Sequence, residues 1–396
     1  MPKQTIRDLD LDGKRVLVRV DFNVPQTKEG AVSDDRRIRA ALPTLKYALD
    51  HGASLVLVSH LGRPTGDPAQ DAPFRLDRVA ERLGELLGKP VKKVNDTVGP
   101  EAQAAAKALK PGDVLVVENV RFNKGEKKGD PAFAKELAGL ADLYVNDAFG
   151  TCHRDEASMV AVPEQFPESG RGIGFLVEKE LQILDQLLGQ PKEPMIAVMG
   201  GAKVSDKIGV IENLLPKIQN LLVGGAMTYT FLKAQGHATG KSRVEADKLD
   251  EAKKLLDLAG SKLVLPLDHL VTESLDPTSP TQVVEGSDIP DGWIGIDIGP
   301  KTIAAYGKMI REAGTVIWNG PMGKFEDEPF RKGTVGVAEA FAASPAVTVV
   351  GGGETAEAVE QFGFADKVSH VSTGGGAFLE CLEGKSFNSL RVIPDR

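Results

Sequence analysis

Three glycine-rich turns in the second half of the chain have the composition of a phosphate-binding site. Each follows a short apolar run and precedes a helix-like pattern: Gly200-Gly201-Ala202-Lys203, Gly351-Gly352-Gly353-Glu354 and Thr373-Gly374-Gly375-Gly376. Glycine permits left-handed backbone angles and lets an anion approach the main chain closely. A helix start adds backbone N–H groups and the positive end of the helix dipole. Three such turns in one half of the chain predict a polyphosphate site.

Side chains beside these turns suit the same chemistry. Lys203 and Lys207 are four residues apart, so we expect them to share a helix face, with two unrelated surface lysines as the alternative. Glu354 and Thr355 follow the second turn and suit Mg²⁺ carried on phosphates, although a simple acidic helix start remains open. The run Gly374 to Gly376 is expected to offer three successive N–H donors to a phosphoryl group in transfer.

A fourth turn, residues 318–326, follows another apolar run. Asn319 and Pro321 give it a rigid shape, and Glu326 can accept hydrogen bonds from a ribose. No G-x-x-x-x-G-K-[ST] segment is present in the sequence, which excludes a Walker-type NTPase. No G-x-G-x-x-G follows the first strand of either half, which disfavours a dinucleotide-dependent dehydrogenase.

Basic residues follow three strand-like runs in the first half of the chain. His60 and Arg63 come after the second run, Arg121 after the fourth and Arg154 after the fifth. The carboxyl ends of parallel strands lie along one sheet edge, so these side chains are expected to converge. A single arginine is usually a solvated loop residue, whereas several that converge predict a phosphate or carboxylate ligand for their bidentate guanidinium groups.

Residues around the end of the first strand extend this basic site. Asp21 and Asn23 can bind hydroxyl groups or orient a guanidinium, with a plain turn as the alternative. Ser33 is predicted to be the N-cap of the next helix. At about 100° per residue, Arg37 lies beside the apolar stripe of that helix and Arg36 lies nearly opposite. We therefore expect Arg37 to reach an interior cleft and Arg36 to meet water.

Short β-branched runs alternate with helix-like patterns along the chain, which predicts parallel sheets with helices on both faces. Such sheets bind ligands at the carboxyl ends of their strands. The predicted strands are 14–22, 53–60, 91–94, 114–120, 143–148, 195–200, 220–224, 263–268, 293–298, 315–319, 347–351 and 368–373. The predicted helices include 34–50, 76–88, 131–141 and 208–218.

Length and composition limit the domain count and the partners. A chain of 396 residues is too long for a single ordinary hydrophobic core, so we expect two domains. The first is expected at 1–172 and the second from 191. A connector helix is expected within 173–190, after a loop at 170–174. The net charge of −8 disfavours nucleic acid or an acidic membrane as the main partner. No apolar run approaches the ~18 residues that span a bilayer, and residues 1–5 show no secretion-signal pattern. Cys152 and Cys381 match no zinc or redox spacing and are expected to be reduced thiols, with a disulfide left open.

Six segments together resemble the phosphoglycerate kinase family: 14–25, 59–64, 118–122, 200–204, 319–323 and 373–377. They occur in family order and at family spacing across essentially the whole chain. The resemblance implies two Rossmann-like lobes joined by a helix: a phosphoglycerate-binding lobe at 1–172, a nucleotide-binding lobe at 191–385, and a tail, 386–396, that returns to the first lobe. It also implies reversible, Mg²⁺-dependent phosphoryl transfer from 1,3-bisphosphoglycerate to ADP, giving 3-phosphoglycerate and ATP, by direct in-line transfer after the lobes close.

The resemblance also implies site residues. For the glycerate ligand they are Asp21, Asn23, Arg37, His60, Arg63, Arg121 and Arg154. For ADP or ATP they are Lys207, the turn at Gly295, Asn319, Pro321, Glu326, Gly352, Gly353, Glu354 and Thr355, with Glu354 as the Mg²⁺ ligand. Around the transferring phosphoryl group they are Arg37, Lys203, Gly374, Gly375 and Gly376.

Two departures from the family pattern stand out. Glu354 replaces the usual Asp, and its extra methylene moves the carboxylate that would meet Mg²⁺. Cys152 and Glu156 replace the usual Ala and a second His, so no catalytic role is assigned to Glu156. A kinase for another small acid such as acetate, and a non-catalytic nucleotide-binding protein, are the alternatives; retention of Lys203 and of the Gly374–Gly376 run disfavours the second. A monomeric, cytoplasmic enzyme without nucleic-acid or membrane partners is expected.

Overall fold

The computed structural model describes residues 2–396. The chain forms two compact units, one comprising Met1–Gln182 with Ser386–Arg396 and the other Ile183–Lys385. Within the first unit the C-terminal segment lies against the N-terminal one: the Lys3 ammonium is 2.8 Å from the Asp395 carboxylate, and the Ser389 hydroxyl donates to the Cys152 carbonyl at 2.6 Å. The boundary between the units falls inside the helix that the sequence predicts as a connector.

Most strands lie within the predicted runs, and several are buried along their whole length. Their bounds are β1 (Arg15–Val20), β2 (Ser54–Val58), β3 (Lys92–Lys93), β4 (Val114–Val116), β5 (Leu143–Asp147), β6 (Arg171–Ile173), β7 (Met195–Met199), β8 (Asn220–Val223), β9 (Leu263–Val264), β10 (Asp268–Thr272), β11 (Thr281–Glu285), β12 (Ile294–Ile298), β13 (Thr315–Asn319), β14 (Val347–Gly351) and β15 (His370–Val371).

Helices alternate with these strands. Their bounds are α1 (Arg36–Asp50), α2 (Pro68–Asp71), α3 (Asp77–Leu87), α4 (Pro100–Lys107), α5 (Lys124–Lys128), α6 (Pro131–Ala138), α7 (Phe175–Gly189), α8 (Ile208–Leu214), α9 (Met227–Ala234), α10 (Leu249–Ala259), α11 (Pro300–Glu312), α12 (Lys332–Ala343), α13 (Gly353–Gln361), α14 (Gly376–Leu382) and α15 (Asn388–Arg391).

Each unit is built on a six-stranded parallel sheet. The order is β3-β4-β2-β1-β5-β6 in the first unit and β15-β14-β13-β7-β8-β9 in the second. The predicted fold class, two Rossmann-like α/β lobes, is confirmed. The second unit also contains an antiparallel sheet of order β11-β10-β12, which the sequence did not predict.

The central strands explain the stability of these sheets. In β1 the side chains of Val16, Leu17, Val18 and Val20 are fully buried, as expected for a parallel strand covered on both faces. Burying each such side chain stabilises the fold by about 1.5–3 kcal/mol. Arg19 lies in the same strand and is also fully buried, so its charge requires partners inside the protein.

Three element predictions are wrong. The predicted loop at 170–174 contains β6, where Gly172 leaves little room for a side chain because an added Cβ would lie 3.1 Å from the Thr5 backbone. Ser33 is not an N-cap: its N–H donates to the Pro25 carbonyl at 3.0 Å, and α1 begins at Arg36. The predicted strand 263–268 divides into β9 and the start of β10, because Pro266 cannot donate to a strand ladder.

Within the described part of the chain, residues 2–396, no helix combines the length and the apolar composition needed to span a membrane.

Candidate active site

Predicted ligand-site residues of the first unit follow four strands that are consecutive in its sheet. In the order β4-β2-β1-β5, these strands are followed by Arg121, His60, Asp21 and Arg154, respectively. Parallel strands present their carboxyl ends on one edge, so the topology places these residues side by side. Arg63 lies on the exposed loop beyond His60.

Asp21 is the anchor for Arg37. Its carboxylate accepts a hydrogen bond from the Arg37 guanidinium at 2.6 Å, whereas Arg36 pairs with Asp34 beside it in sequence. The Arg36 and Arg37 side chains are 42% and 37% exposed, so partners rather than exposure distinguish them. Asn23 links the neighbouring loop, because its side-chain carbonyl accepts the Gly62 N–H at 2.8 Å.

His60 is held neutral by its surroundings. Its side chain is buried, and the Arg19 guanidinium lies 3.2 Å from its Nδ1. Because arginine can only donate, Nδ1 accepts and the neutral ring carries its proton on Nε2. Burial and the positive charges of Arg19, Arg121 and Arg154 lower the pKa of His60 well below its ordinary value. His60 is therefore an uncharged hydrogen-bonding group at neutral pH.

Arg121 lies in a buried ion cluster. One of its terminal nitrogens donates to the Gly62 carbonyl at 3.0 Å, and the other donates to the Glu156 carboxylate at 2.7 Å. The same carboxylate oxygen lies 3.7 Å from Arg154. Burial lowers the pKa of Arg121, although Glu156 opposes that effect.

Sequence reasoning missed the groups that support this cluster. Arg19 donates to the Ser158 hydroxyl at 2.8 Å, and Ser158 in turn donates to the Glu126 carboxylate. Burial raises the pKa of Glu126. Arg19 could have been identified from the sequence, because a charged residue within a continuous apolar strand needs a partner inside the protein. Glu156 and Ser158 carry no such local signal.

In the second unit the turns after β7 and β13 interlock. The N–H groups of Gly200 and Gly201 donate to the carbonyls of Asn319 and Pro321, both at 2.9 Å. A Cβ on Gly200 would lie 2.2 Å from the Pro321 carbonyl oxygen. Gly200 therefore allows the loops to pack closely, and the N–H groups of both glycines are not the free phosphate donors that the sequence suggested.

Lys207 is the buried cation of this region. Its ammonium donates to the Asn319 side-chain carbonyl, and the Asn319 amide donates to the Gly351 carbonyl at 2.7 Å. Burial lowers the pKa of Lys207, although the negative charges of Asp206, Glu354 and Glu383 oppose that shift.

The expected helical pairing of Lys203 with Lys207 is wrong. Residues 201–207 form a loop before α8, and Lys203 is exposed whereas Lys207 is buried. Glu245, which lies outside the loop, holds it in place. Its carboxylate accepts hydrogen bonds from the N–H groups of Val204 and Ser205 at 2.6 and 3.2 Å.

The turn before α13 has the predicted form. Gly352 adopts φ +95°, and a Cβ there would lie 2.4 Å from the Asn319 side-chain nitrogen. The buried Thr355 hydroxyl accepts the Gly320 N–H at 2.7 Å and so joins this turn to the one after β13. Glu354 and Glu326 are exposed, as is the backbone of Gly353.

The turn before α14 offers fewer donors than the sequence predicts. The Gly374 N–H donates to the Ser372 hydroxyl at 3.0 Å, so the prediction of three free N–H groups is wrong. Gly375 and Gly376 remain at the start of α14, with Gly375 at φ +50°.

Gly295 lies within β12 of the antiparallel sheet rather than in a turn. Its N–H donates to the Ser242 hydroxyl at 2.8 Å, and a Cβ there would fall 2.0 Å from the Tyr229 ring. Packing of Tyr229 is therefore a sufficient reason for glycine at this position.

Residues 2–396 contain no cluster of three or more His, Cys, Asp or Glu side chains that could hold a metal ion. Glu354 is an exposed carboxylate near Lys207, as is Asp206. One carboxylate fits Mg²⁺ that is carried mainly by substrate phosphates. Cys152 and Cys381 are free thiols, and burial raises the pKa of Cys152 to about 12.

Comparison with known proteins identifies the family of the chain. The family model for phosphoglycerate kinase matches residues 6–385. Phosphoglycerate kinase of Moorella thermoacetica is 53% identical over 399 residues, with 100% of both chains covered, and that of Rubrobacter xylanophilus is 53% identical over 396 residues, covering 100% of this chain and 99% of the relative.

Solved structures agree. Phosphoglycerate kinase from Coxiella burnetii superposes with a TM-score of 0.87 at 41% identity, covering 99% of this chain and 98% of the other. The enzyme from Pyrococcus horikoshii OT3 gives a TM-score of 0.87 at 32% identity, with 98% of both chains covered. The chain belongs to the phosphoglycerate kinase family.

Proposed function

We propose that this phosphotransferase, which uses a carboxyl group as acceptor, binds 3-phosphoglycerate at the sheet edge of its first unit and ADP or ATP at the glycine turns of its second unit. The observation that carries the proposal is the position of His60, Arg121 and Arg154 after three strands of one parallel sheet, with Arg121 and Arg154 both beside Glu156. Guanidinium groups match phosphate and carboxylate oxygens bidentately. Asp21, Asn23, Arg37 and Arg63 complete the proposed glycerate site.

The proposed nucleotide site is the connected set of turns in the second unit. Lys207 supplies a buried positive charge for the phosphates, and it is linked through Asn319 to the turn at Gly351. Pro321, Gly352, Gly353 and Thr355 shape the wall. Glu326 is proposed to bind the ribose, and Gly295 to shape the pocket through its contact with Tyr229.

The chemistry needs no covalent enzyme intermediate, because an acyl phosphate is already activated. In the direction of ATP formation, the bond between phosphorus and the carboxyl oxygen of 1,3-bisphosphoglycerate breaks. A bond between the same phosphorus and a β-phosphate oxygen of ADP forms. Arg37, Lys203 and the N–H groups of Gly375 and Gly376, with Gly374 shaping the turn, are proposed to offset the charge on the transferring group. Glu354 would help to hold Mg²⁺ carried on the nucleotide, and the ion would neutralise phosphate charge.

Two-substrate kinetics test the assignment of ligands to units. Arg121→Ala is expected to raise the KM for 3-phosphoglycerate about 10- to 100-fold, the cost of losing one charge-assisted hydrogen bond, and to leave the KM for ATP unchanged. Lys207→Ala is expected to do the reverse. Arg78→Ala, which removes an exposed arginine paired with Glu81, is the matched control and should change neither. A rise in both KM values in one variant would contradict the assignment.

Alternative functions have less support. A kinase for acetate has no use for three arginines around a phosphate, and the relatives at 53% identity disfavour both it and a non-catalytic binding protein. We propose that the enzyme acts as a cytoplasmic monomer without nucleic-acid or membrane partners, since one chain carries both proposed ligand sites and its net charge is −8. Light scattering coupled to size exclusion should give a mass near 42.2 kDa.

A further inference from the structure

Glu156 places a negative charge among the arginines of the first unit. Its carboxylate lies 2.7 Å from Arg121, 3.7 Å from Arg154 and 4.0 Å from Arg19. The Glu156 and Arg121 side chains are only 8% and 4% exposed. An ion pair this well shielded from water interacts strongly, because solvent screens it little.

The cluster retains unused hydrogen-bonding capacity. Within residues 2–396, Arg121 Nε and Glu156 Oε2 are buried and have no hydrogen-bond partner. Arg121 also lines an open cavity of about 510 Å³, whose other basic residues are Arg75, Lys124, Lys127 and Lys128. Arg121 therefore borders a basic cavity, although little of its side chain meets solvent.

We propose that Glu156 is an internal counter-anion that determines how tightly the arginines bind the phosphate of the substrate. It stabilises Arg121 when no substrate is bound, and it opposes an incoming phosphate by like-charge repulsion. The proposal rests on the proposed function, in which Arg121 and Arg154 bind that phosphate. Glu156 acts on substrate affinity through Arg121 and is not a catalytic residue.

The stability of the unliganded cluster and its affinity for phosphate are linked. Without an internal anion, Arg121 would be a buried, unpaired charge, which is costly, and a bound phosphate would supply the missing partner. With Glu156 present, the charge of Arg121 is already compensated before the substrate arrives. The binding of phosphate is therefore less favourable. Removing only the charge of Glu156 should therefore destabilise the unliganded protein and tighten substrate binding. A residue that merely holds Arg121 in position would instead weaken binding when it is replaced.

Glu156→Gln separates these outcomes, because its amide oxygen can still accept from Arg121. Titration calorimetry with 3-phosphoglycerate is expected to give a Kd about tenfold lower than that of the wild-type protein, equivalent to about 1.4 kcal/mol. Thermal unfolding without ligand is expected at a lower temperature. Glu164→Gln, which removes the same charge from an exposed position of the same unit, is the control and should change neither quantity.

Two further variants make the test decisive. Glu156→His, which introduces the residue usual in the family, should also tighten binding above pH 7, and it replaces the Gln variant if that protein does not fold. Arg121→Ala should weaken binding; if it does not, the proposed site itself is wrong and the inference falls with it. If Arg121→Ala weakens binding while Glu156→Gln and Glu156→His leave the Kd unchanged or raise it, the counter-anion proposal alone is overturned.

Discussion

Arg36 and Arg37 are neighbours in sequence that the structure connects to different parts of the first unit. Arg37 pairs with Asp21 at the end of β1, whereas Arg36 pairs with Asp34 within its own turn. Both side chains are more than one-third exposed, so each ion pair stabilises the fold by only about 0.2–1 kcal/mol. The two Ala variants should therefore unfold at similar temperatures, and any difference in turnover reports on the reaction.

Arg37→Ala is expected to reduce kcat by about 10²–10³, because losing one preorganised group that stabilises the transition state costs about 2.7–4 kcal/mol. Arg36→Ala, which removes the same charge from the adjacent position, is expected to leave kcat within about twofold, since an exposed local pair contributes little. The assay is initial-rate phosphorylation of 3-phosphoglycerate at saturating ATP and Mg²⁺. Equal losses in the two variants, or a silent Arg37→Ala, would refute the argument that Asp21 directs Arg37 toward the reacting groups.

Three further predictions concern stability, the nucleotide turn and motion. Burial raises the pKa of Asp147 from 3.8 to about 7, so the folded state retains a proton that the unfolded state has lost, and the unfolding free energy should fall as pH rises between those values. Denaturant titrations should show that the unfolding free energy of Asp147→Asn depends less on pH in this range than that of the wild-type protein. An unchanged slope would contradict the assignment of this pH dependence to Asp147. Gly352→Ala should lower both stability and nucleotide affinity, because its Cβ would meet the Asn319 side-chain nitrogen at 2.4 Å, whereas Gly353→Ala has open space and should leave stability nearly unchanged; equal losses of stability in the two variants would count against this. Small-angle X-ray scattering should show a smaller radius of gyration when both substrates are bound. An unchanged radius would contradict the expected closure of the lobes.

Local sequence patterns were sufficient to predict much of the architecture. β13 and β14 match the predicted ranges residue for residue, because each is an apolar, β-branched run that ends at a glycine turn. The antiparallel strand β11 was missed, since its residues are mostly exposed and show no apolar alternation. The loop at 201–207 was mistaken for the start of a helix because the contacts from Glu245 that hold it come from about 40 residues further along the chain.

The candidate site shows the same division between local and distant information. The placement of Arg121 and His60 at one sheet edge follows from a parallel sheet, which alternation of strands and helices predicts, whereas the strand order that makes them neighbours comes from the structure. The partner of Arg121 is not predictable in this way, since Glu156 lies 35 residues away and only the folded chain brings the two within 2.7 Å. Likewise, only the structure shows that the Gly200 and Gly374 N–H groups already have acceptors inside the protein.

The most direct test of the account is the rate of ATP formation from ADP and 1,3-bisphosphoglycerate, measured with and without Mg²⁺ and beside acetyl phosphate as the alternative donor. The account predicts Mg²⁺-dependent turnover with 1,3-bisphosphoglycerate and negligible turnover with acetyl phosphate. Comparable rates with the two donors, or none with 1,3-bisphosphoglycerate, would contradict it.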